Sequence, residues 1–238
     1  LDIGPLQTLM VTLRDTSDAQ RRQVLERMFF HDALNAAGGL RGLMEVWPDL
    51  DPAEAQALAP AAAKLAQQLV DEIEAHRDLT AAENGTLTVR PAPVSPRALL
   101  DEVRTLYASH EVAEGKTIVV ALPDEAPPVT TDLVLMRRVL GNLLKNALEA
   151  SAPADTVTLG FTDAGGGATL TVHNPAVMPE AARLQGFQRA FTTKGRGRGL
   201  GTFGSKLIAE RYLGGTLSFH SAPGAGTTFR VTLPRAAA

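Results

Sequence analysis

Residues 187–206 read FQRAFTTKGRGRGLGTFGSK. Five glycines (Gly195, Gly197, Gly199, Gly201, Gly204) alternate with Arg196 and Arg198. Arg189, Lys194 and Lys206 add positive charge, and the window holds no acid. Glycine lets backbone N–H groups turn toward a ligand, and a helix expected from about Phe203 adds the positive end of its dipole. The expected product is an anion cradle, best suited to phosphates. A solvated flexible loop has the same composition. Two familiar patterns fail on context. Gly199–Gly204 satisfies G-x-G-x-x-G without a strand leading into it, and Gly199–Lys206 departs from a P-loop because Ser205 precedes Lys206.

Upstream, Leu140, Leu143, Leu144 and Ala147 give the apolar side of an amphipathic helix predicted over 133–150. Asn142 and Asn146 lie four apart and share its polar side. Paired carboxamide oxygens suit a hard cation such as Mg²⁺, which accompanies nucleotide phosphates. An ordinary polar helix face looks the same. Around this helix the pattern predicts strands over 86–89, 117–122, 156–162, 168–173, 216–220 and 227–233, with a helix over 99–115. Gly165-Gly166-Gly167 signals a hairpin turn. Helices and strands mix without strict alternation, which predicts an α+β layered domain from about residue 85 onward.

Residues 19–47 are helical in pattern instead. Leu25, Phe29, Ala33, Ala36, Leu40, Leu43 and Trp47 recur at spacings of three and four. Pro48–Pro52 breaks that helix, and an alanine-rich helix over about 53–82 ends at Asn84-Gly85. Pro60 is expected at a bend or in the first turn of this second helix. The two form a hairpin whose seam is too narrow for a core, so dimerisation into a four-helix bundle is expected. His31 lies away from the seam; Asp32 is adjacent and Asn35 one turn on. An imidazole beside a carboxylate is a nucleophile with a base to fix its tautomer, although a surface histidine near a chance aspartate is common.

Composition sets the outer limits. The 238 residues carry 23 Lys plus Arg against 26 Asp plus Glu, a net charge of −3, which argues against a general nucleic-acid or membrane-surface binder. Cysteine is absent, which excludes disulfides, thiolate metal sites and cysteine nucleophiles and suits a reducing compartment. No apolar run approaches the roughly 18 residues of a membrane span.

The order of these features resembles the sensor histidine kinases of bacterial two-component systems over most of the chain. His31-Asp32-Ala33-Leu34-Asn35 is similar to the phosphoacceptor H box, and Asn142-Leu143-Leu144-Lys145-Asn146-Ala147 to the N box. Phe187–Lys194 is similar to the F box and ATP lid, and Gly197-Arg198-Gly199-Leu200-Gly201 to the second glycine box. Gly224-Ala225-Gly226-Thr227-Thr228-Phe229 is similar to the terminal one. Leu13-Arg14-Asp15-Thr16-Ser17 resembles the end of a PAS sensor domain.

The resemblance implies a sensor-domain end over 1–16, a dimerisation and histidine phosphotransfer unit over 17–84, and an α/β sandwich ATP-binding unit over 85–238. It implies a cytoplasmic homodimer, an upstream sensor and a response-regulator receiver domain as partner. His31 would accept the phosphoryl group of ATP, with Asp32 and Asn35 assisting. Asn146, helped by Asn142, would hold Mg²⁺. Asn174, Lys194, Arg196, Gly197, Arg198, Gly199, Leu200, Gly201, Thr227 and Thr228 would hold the nucleotide.

One motif departs from the family. The first glycine box reads Asp-x-Gly-x-Gly, its Asp accepting from the adenine amino group; here Asn174 takes that place and no glycine follows. A neutral hydrogen bond is worth roughly 0.5–1.5 kcal/mol against roughly 1.5–3 for a charged one, so weakened nucleotide binding is expected. That departure favours one alternative, a phosphotransfer or scaffold protein with a degenerate ATP-binding domain; a second, an ATPase of the same nucleotide fold, has the His31 hairpin against it.

Overall fold

The computed structural model describes residues 17–163, 167–180, 183 and 200–234. The expected sensor-domain end at 1–16 and the candidates Lys194, Arg196, Gly197, Arg198 and Gly199 lie outside the described residues, as do the side chains of Asp32 and Leu200.

Helix α1 spans Ser17–Val46, a 3₁₀ turn spans Trp47–Asp49, and α2 spans Pro52–Glu83. Phe29, Ala33, Ala36, Leu40, Leu43 and Trp47 are buried or half-buried, whereas His31, Leu34 and Asn35 between them are exposed, so the three-and-four spacing faces α2. Phe29 stacks flat on His76 of α2, with ring centroids 4.0 Å apart. Helix α2 starts on a capping box: the Asp51 carboxylate accepts from Ala53 N at 2.9 Å and Glu54 N at 2.8 Å, and Glu54 accepts from Asp51 N at 3.0 Å. Pro52 therefore supplies the first turn, and Pro60 lies inside the helix rather than at its start. The helix ends at Asn84, followed by Gly85 in the left-handed region (φ +71°).

Beyond the hairpin come β1 (Ala92–Val94), α3 (Pro96–Ala108), β2 (Thr117–Ala121), β3 (Val129–Thr131) and α4 (Leu133–Ala150). They are followed by β4 (Thr156–Asp163), β5 (Gly167–Asn174), α5 (Leu200–Leu207), β6 (Thr216–Ala222) and β7 (Gly226–Pro234). Five strands form one sheet in the order β2-β4-β5-β7-β6, parallel between β2 and β4 and antiparallel elsewhere. Strands β1 and β3 pair separately. Alternate strand residues, among them Val157, Leu159, Leu170, Val172, Val231 and Leu233, turn inward onto Leu140, Leu143, Leu144 and Leu148 of α4 and Leu99, Leu100 and Val103 of α3. The other face of the sheet carries Thr169, Thr171, His173, Thr228, Arg230 and Thr232, none of them buried. This is a mixed α+β fold with an N-terminal helical hairpin, as expected.

Three local expectations are corrected. Residues 86–89 form no strand, because Thr86 N turns back to Ala81 O (3.1 Å) and Arg90 N donates to the Asp132 carboxylate (2.7 Å) rather than to a ladder. Leu87 and Val89 still pack on the core, which accounts for their strand-like alternation. Helix α3 spans Pro96–Ala108, not 99–115: Ser95 caps it through Ala98 N, Pro96 takes the first turn, and a separate 3₁₀ turn covers Glu111–Ala113. The glycine-loop helix is already formed at Leu200, ahead of Phe203, and widens into a π turn over Ile208–Tyr212.

Candidate functional site

The buried side of α4 fixes the aim of its polar side. With Leu143, Leu144 and Ala147 in the core, Asn142 and Asn146 face α5. Asn142 donates through Nδ2 to Ser205 Oγ at 2.8 Å, and Asn146 through Nδ2 to Thr202 Oγ1 at 3.2 Å. Both carboxamides thus spend their nitrogens on α5 hydroxyls and keep their oxygens for another partner. Gly201 makes this approach possible, since a Cβ there would stand 2.5 Å from Asn142 Oδ1. Neither Thr202 nor Ser205 is a sequence candidate; they lie three residues apart on one α5 face, opposite the two asparagines four apart on α4.

The hairpin packs against this arrangement. Leu79 of α2 is buried against Phe203 and Leu207 of α5. Tyr212, in the π turn, donates its hydroxyl to Ala82 O at 2.6 Å. Asp71 pairs with Lys145, and Asp78 with Arg138 at 3.0 Å, joining α2 to the exposed edge of α4. Between the elements runs a cleft of about 790 Å³ lined by Asn35, Asn142, Asn146, Gly201 and Ser205 among others. Within α1, Asn35 Nδ2 lies 3.2 Å from His31 Nδ1 and 3.4 Å from Nε2, so the two share one face. The cleft therefore leads from the histidine's neighbour to the asparagine pair. Tyr107 of α3 lies against Gly141. Burial, and then the carboxylates of Asp71, Glu149 and Glu74, push its phenol up to about 12.

Asn174 and Thr227 are register partners at the far end of the sheet, both buried. Thr228, the next residue, turns to the opposite face and meets His173 Nδ1 at 2.9 Å, so it is not gathered with Asn174. Gly226 adopts φ +67°, and a Cβ there would meet Asn174 O at 2.3 Å. No group of three or more His, Cys, Asp or Glu residues suited to a metal occurs among the described residues.

Comparison with known proteins places this geometry. The model of the histidine kinase-, DNA gyrase B-, and HSP90-like ATPase family matches residues 131–237. The sensor histidine kinase ZraS of Escherichia coli (strain K12) is 28% identical over 216 residues, covering 86% of this chain and 43% of that protein. Residues 131–237 thus match that ATPase family, and the chain as a whole is similar to sensor histidine kinases. Among solved structures, Acinetobacter baumannii histidine kinase AdeS shares this chain's fold with a TM-score of 0.69 and 19% identity, over 87% of this chain and 98% of that one. Histidine kinase ThkA in complex with response regulator protein TrrA shares it with a TM-score of 0.67 and 18% identity, over 94% of this chain and 67% of that one. The chain spans less than half the length of the curated ZraS relatives it matches. No helix among its described residues is long and apolar enough to cross a membrane.

Proposed function

We propose that this chain is the core of a sensor histidine kinase that transfers the γ-phosphoryl group of ATP to His31 and passes it to an aspartate of a response-regulator receiver domain. The observation that carries the reading is the cleft between hairpin and sandwich, which runs from Asn35, hydrogen-bonded to His31, to Asn142 and Asn146. A lone pair of the neutral His31 ring attacks the γ-phosphorus; the bond to the bridging oxygen breaks and ADP leaves. Asp32 takes the ring proton, and Asn35 holds the ring's orientation. Positioning and charge neutralisation supply most of the rate in such a transfer.

Mg²⁺ bound with the nucleotide would neutralise phosphate charge during the transfer. The two Oδ1 atoms of Asn142 and Asn146 suit it, being hard oxygen donors left over after each amide nitrogen has found a hydroxyl. Lys194, Arg196, Gly197, Arg198, Gly199, Leu200 and Gly201 would close over the phosphates, with Asn174 and Thr227 at the base; Thr228, on the opposite face of the sheet, stands outside this group. Asn35 could also orient a water that dephosphorylates the regulator. Residues 17–84 would serve dimerisation and phosphotransfer, residues 85–238 would bind nucleotide, and residues 1–16 would connect to a PAS-like sensor in a cytoplasmic assembly.

Substituting His31→Gln abolishes labelling of the chain from γ-labelled ATP and leaves nucleotide binding unchanged. Label retained in that variant would sink the assignment of His31.

A further inference from the structure

The environment of Asn174 carries an inference about which base this site takes, and it rests on the nucleotide-binding role proposed above. Asn174 is 2% exposed, at the end of β5 on the sheet face that α4 covers. Its amide nitrogen has no hydrogen-bond partner. The neighbouring hydroxyls explain why. Met178 N donates to Ser221 Oγ at 2.8 Å, Ser221 and Thr227 share a 2.8 Å bond, and Thr227 Oγ1 donates to Ala176 O at 2.7 Å. With Thr227 donating to Ala176, Ser221 must donate to Thr227, so the relay runs one way and is complete without Asn174. Buried amide donors are almost always paired, and an orphan of this kind is matched to an acceptor that arrives from outside.

We propose that Asn174 reads the hydrogen-bonding edge of the purine with both of its amide atoms, and that this kinase accepts guanine as well as adenine nucleoside triphosphates. Toward adenine, Oδ1 accepts from the N6 amino group while Nδ2 donates to N1. Toward guanine, Oδ1 accepts from N1–H while Nδ2 donates to O6. Either base satisfies the orphaned nitrogen. A carboxylate in the same place offers acceptors only: it serves the adenine amino group but sets a lone pair against guanine O6. A site that leaves a buried polar group unpaired discriminates strongly, and one that pairs it with either base does not.

The test is equilibrium binding of ATP, GTP and ITP to the full chain, read by displacement of a fluorescent nucleotide, for wild type and Asn174→Asp. Wild type is expected to bind GTP within about tenfold of ATP, and the Asp variant to shift the ratio toward ATP by about tenfold or more. ITP keeps N1–H and O6 but lacks the 2-amino group; its tracking GTP in wild type supports edge reading without relying on the variant. Wild type preferring ATP over GTP and ITP by about a hundredfold or more would overturn the inference while leaving the kinase reading standing. Wild type binding none of the three would overturn both.

Discussion

A methyl group added at Gly226 would stand 2.3 Å from the carbonyl oxygen of Asn174, in a backbone conformation (φ +67°) that L side chains rarely adopt. The obstacle is main chain on both counts and cannot move aside, so Gly226→Ala is expected to cost about 1–3 kcal/mol, seen as a lower urea midpoint. Gly201 differs. There the methyl group meets the end of a side chain, Asn142 Oδ1 at 2.5 Å and Nδ2 at 2.7 Å, which can rotate away. Gly201→Ala should leave stability within about 1 kcal/mol, because alanine also favours the helix, yet break the Asn142–Ser205 bond. Its ATP affinity is expected to fall about tenfold in the same displacement assay.

Among the elements, α2 is tied to α4 by the Asp71–Lys145 and Asp78–Arg138 pairs and to α5 by Leu79. The partners of the first pair are each about a quarter exposed, so it is worth about 1 kcal/mol at most. Reversing it with Asp71→Lys should speed amide exchange in α5 by about fivefold, and adding Lys145→Asp should restore protection. Unrestored exchange would show that the apolar contact alone holds the hairpin. Helix α4 was legible to both ends in the sequence because eighteen residues of one apolar period leave little choice. The His31–Asn35 pairing on an outward face followed from helical spacing in the same way. The three residues of β3 are too few for a period to show, and the π turn has no spacing signature of its own. The partners of Lys145 and Asn142 lie 74 and 63 positions away, so no local pattern announces them. Asn174 was visible as a departure from a motif, but that its amide nitrogen stands unpaired depends on a relay assembled from three chain segments.

For the whole molecule, the hairpin buries one side of each helix and leaves another apolar side uncovered. Phe30 and Leu34 on α1 are 59% and 69% exposed, and Val70 and Ile73 on α2 are 47% and 48% exposed. A second hairpin laid against them would complete the four-helix bundle that the narrow seam calls for. Light scattering is expected to give twice the mass of one chain, and Phe30→Glu with Leu34→Glu to give the mass of a single chain at the same concentration. The docked hairpin also leaves a mark on light absorption. Tyr107 sits on α3, but two of the three carboxylates that discourage its ionisation, Asp71 and Glu74, belong to α2. A phenol held at about 12, above its ordinary 10, favours the folded docked state below pH 10, and that advantage is lost as pH rises toward 12. Drawing the hairpin away would remove Asp71 and Glu74 and lower the phenol from about 12, so an earlier onset of phenolate absorbance is the expected optical sign that the two halves have parted.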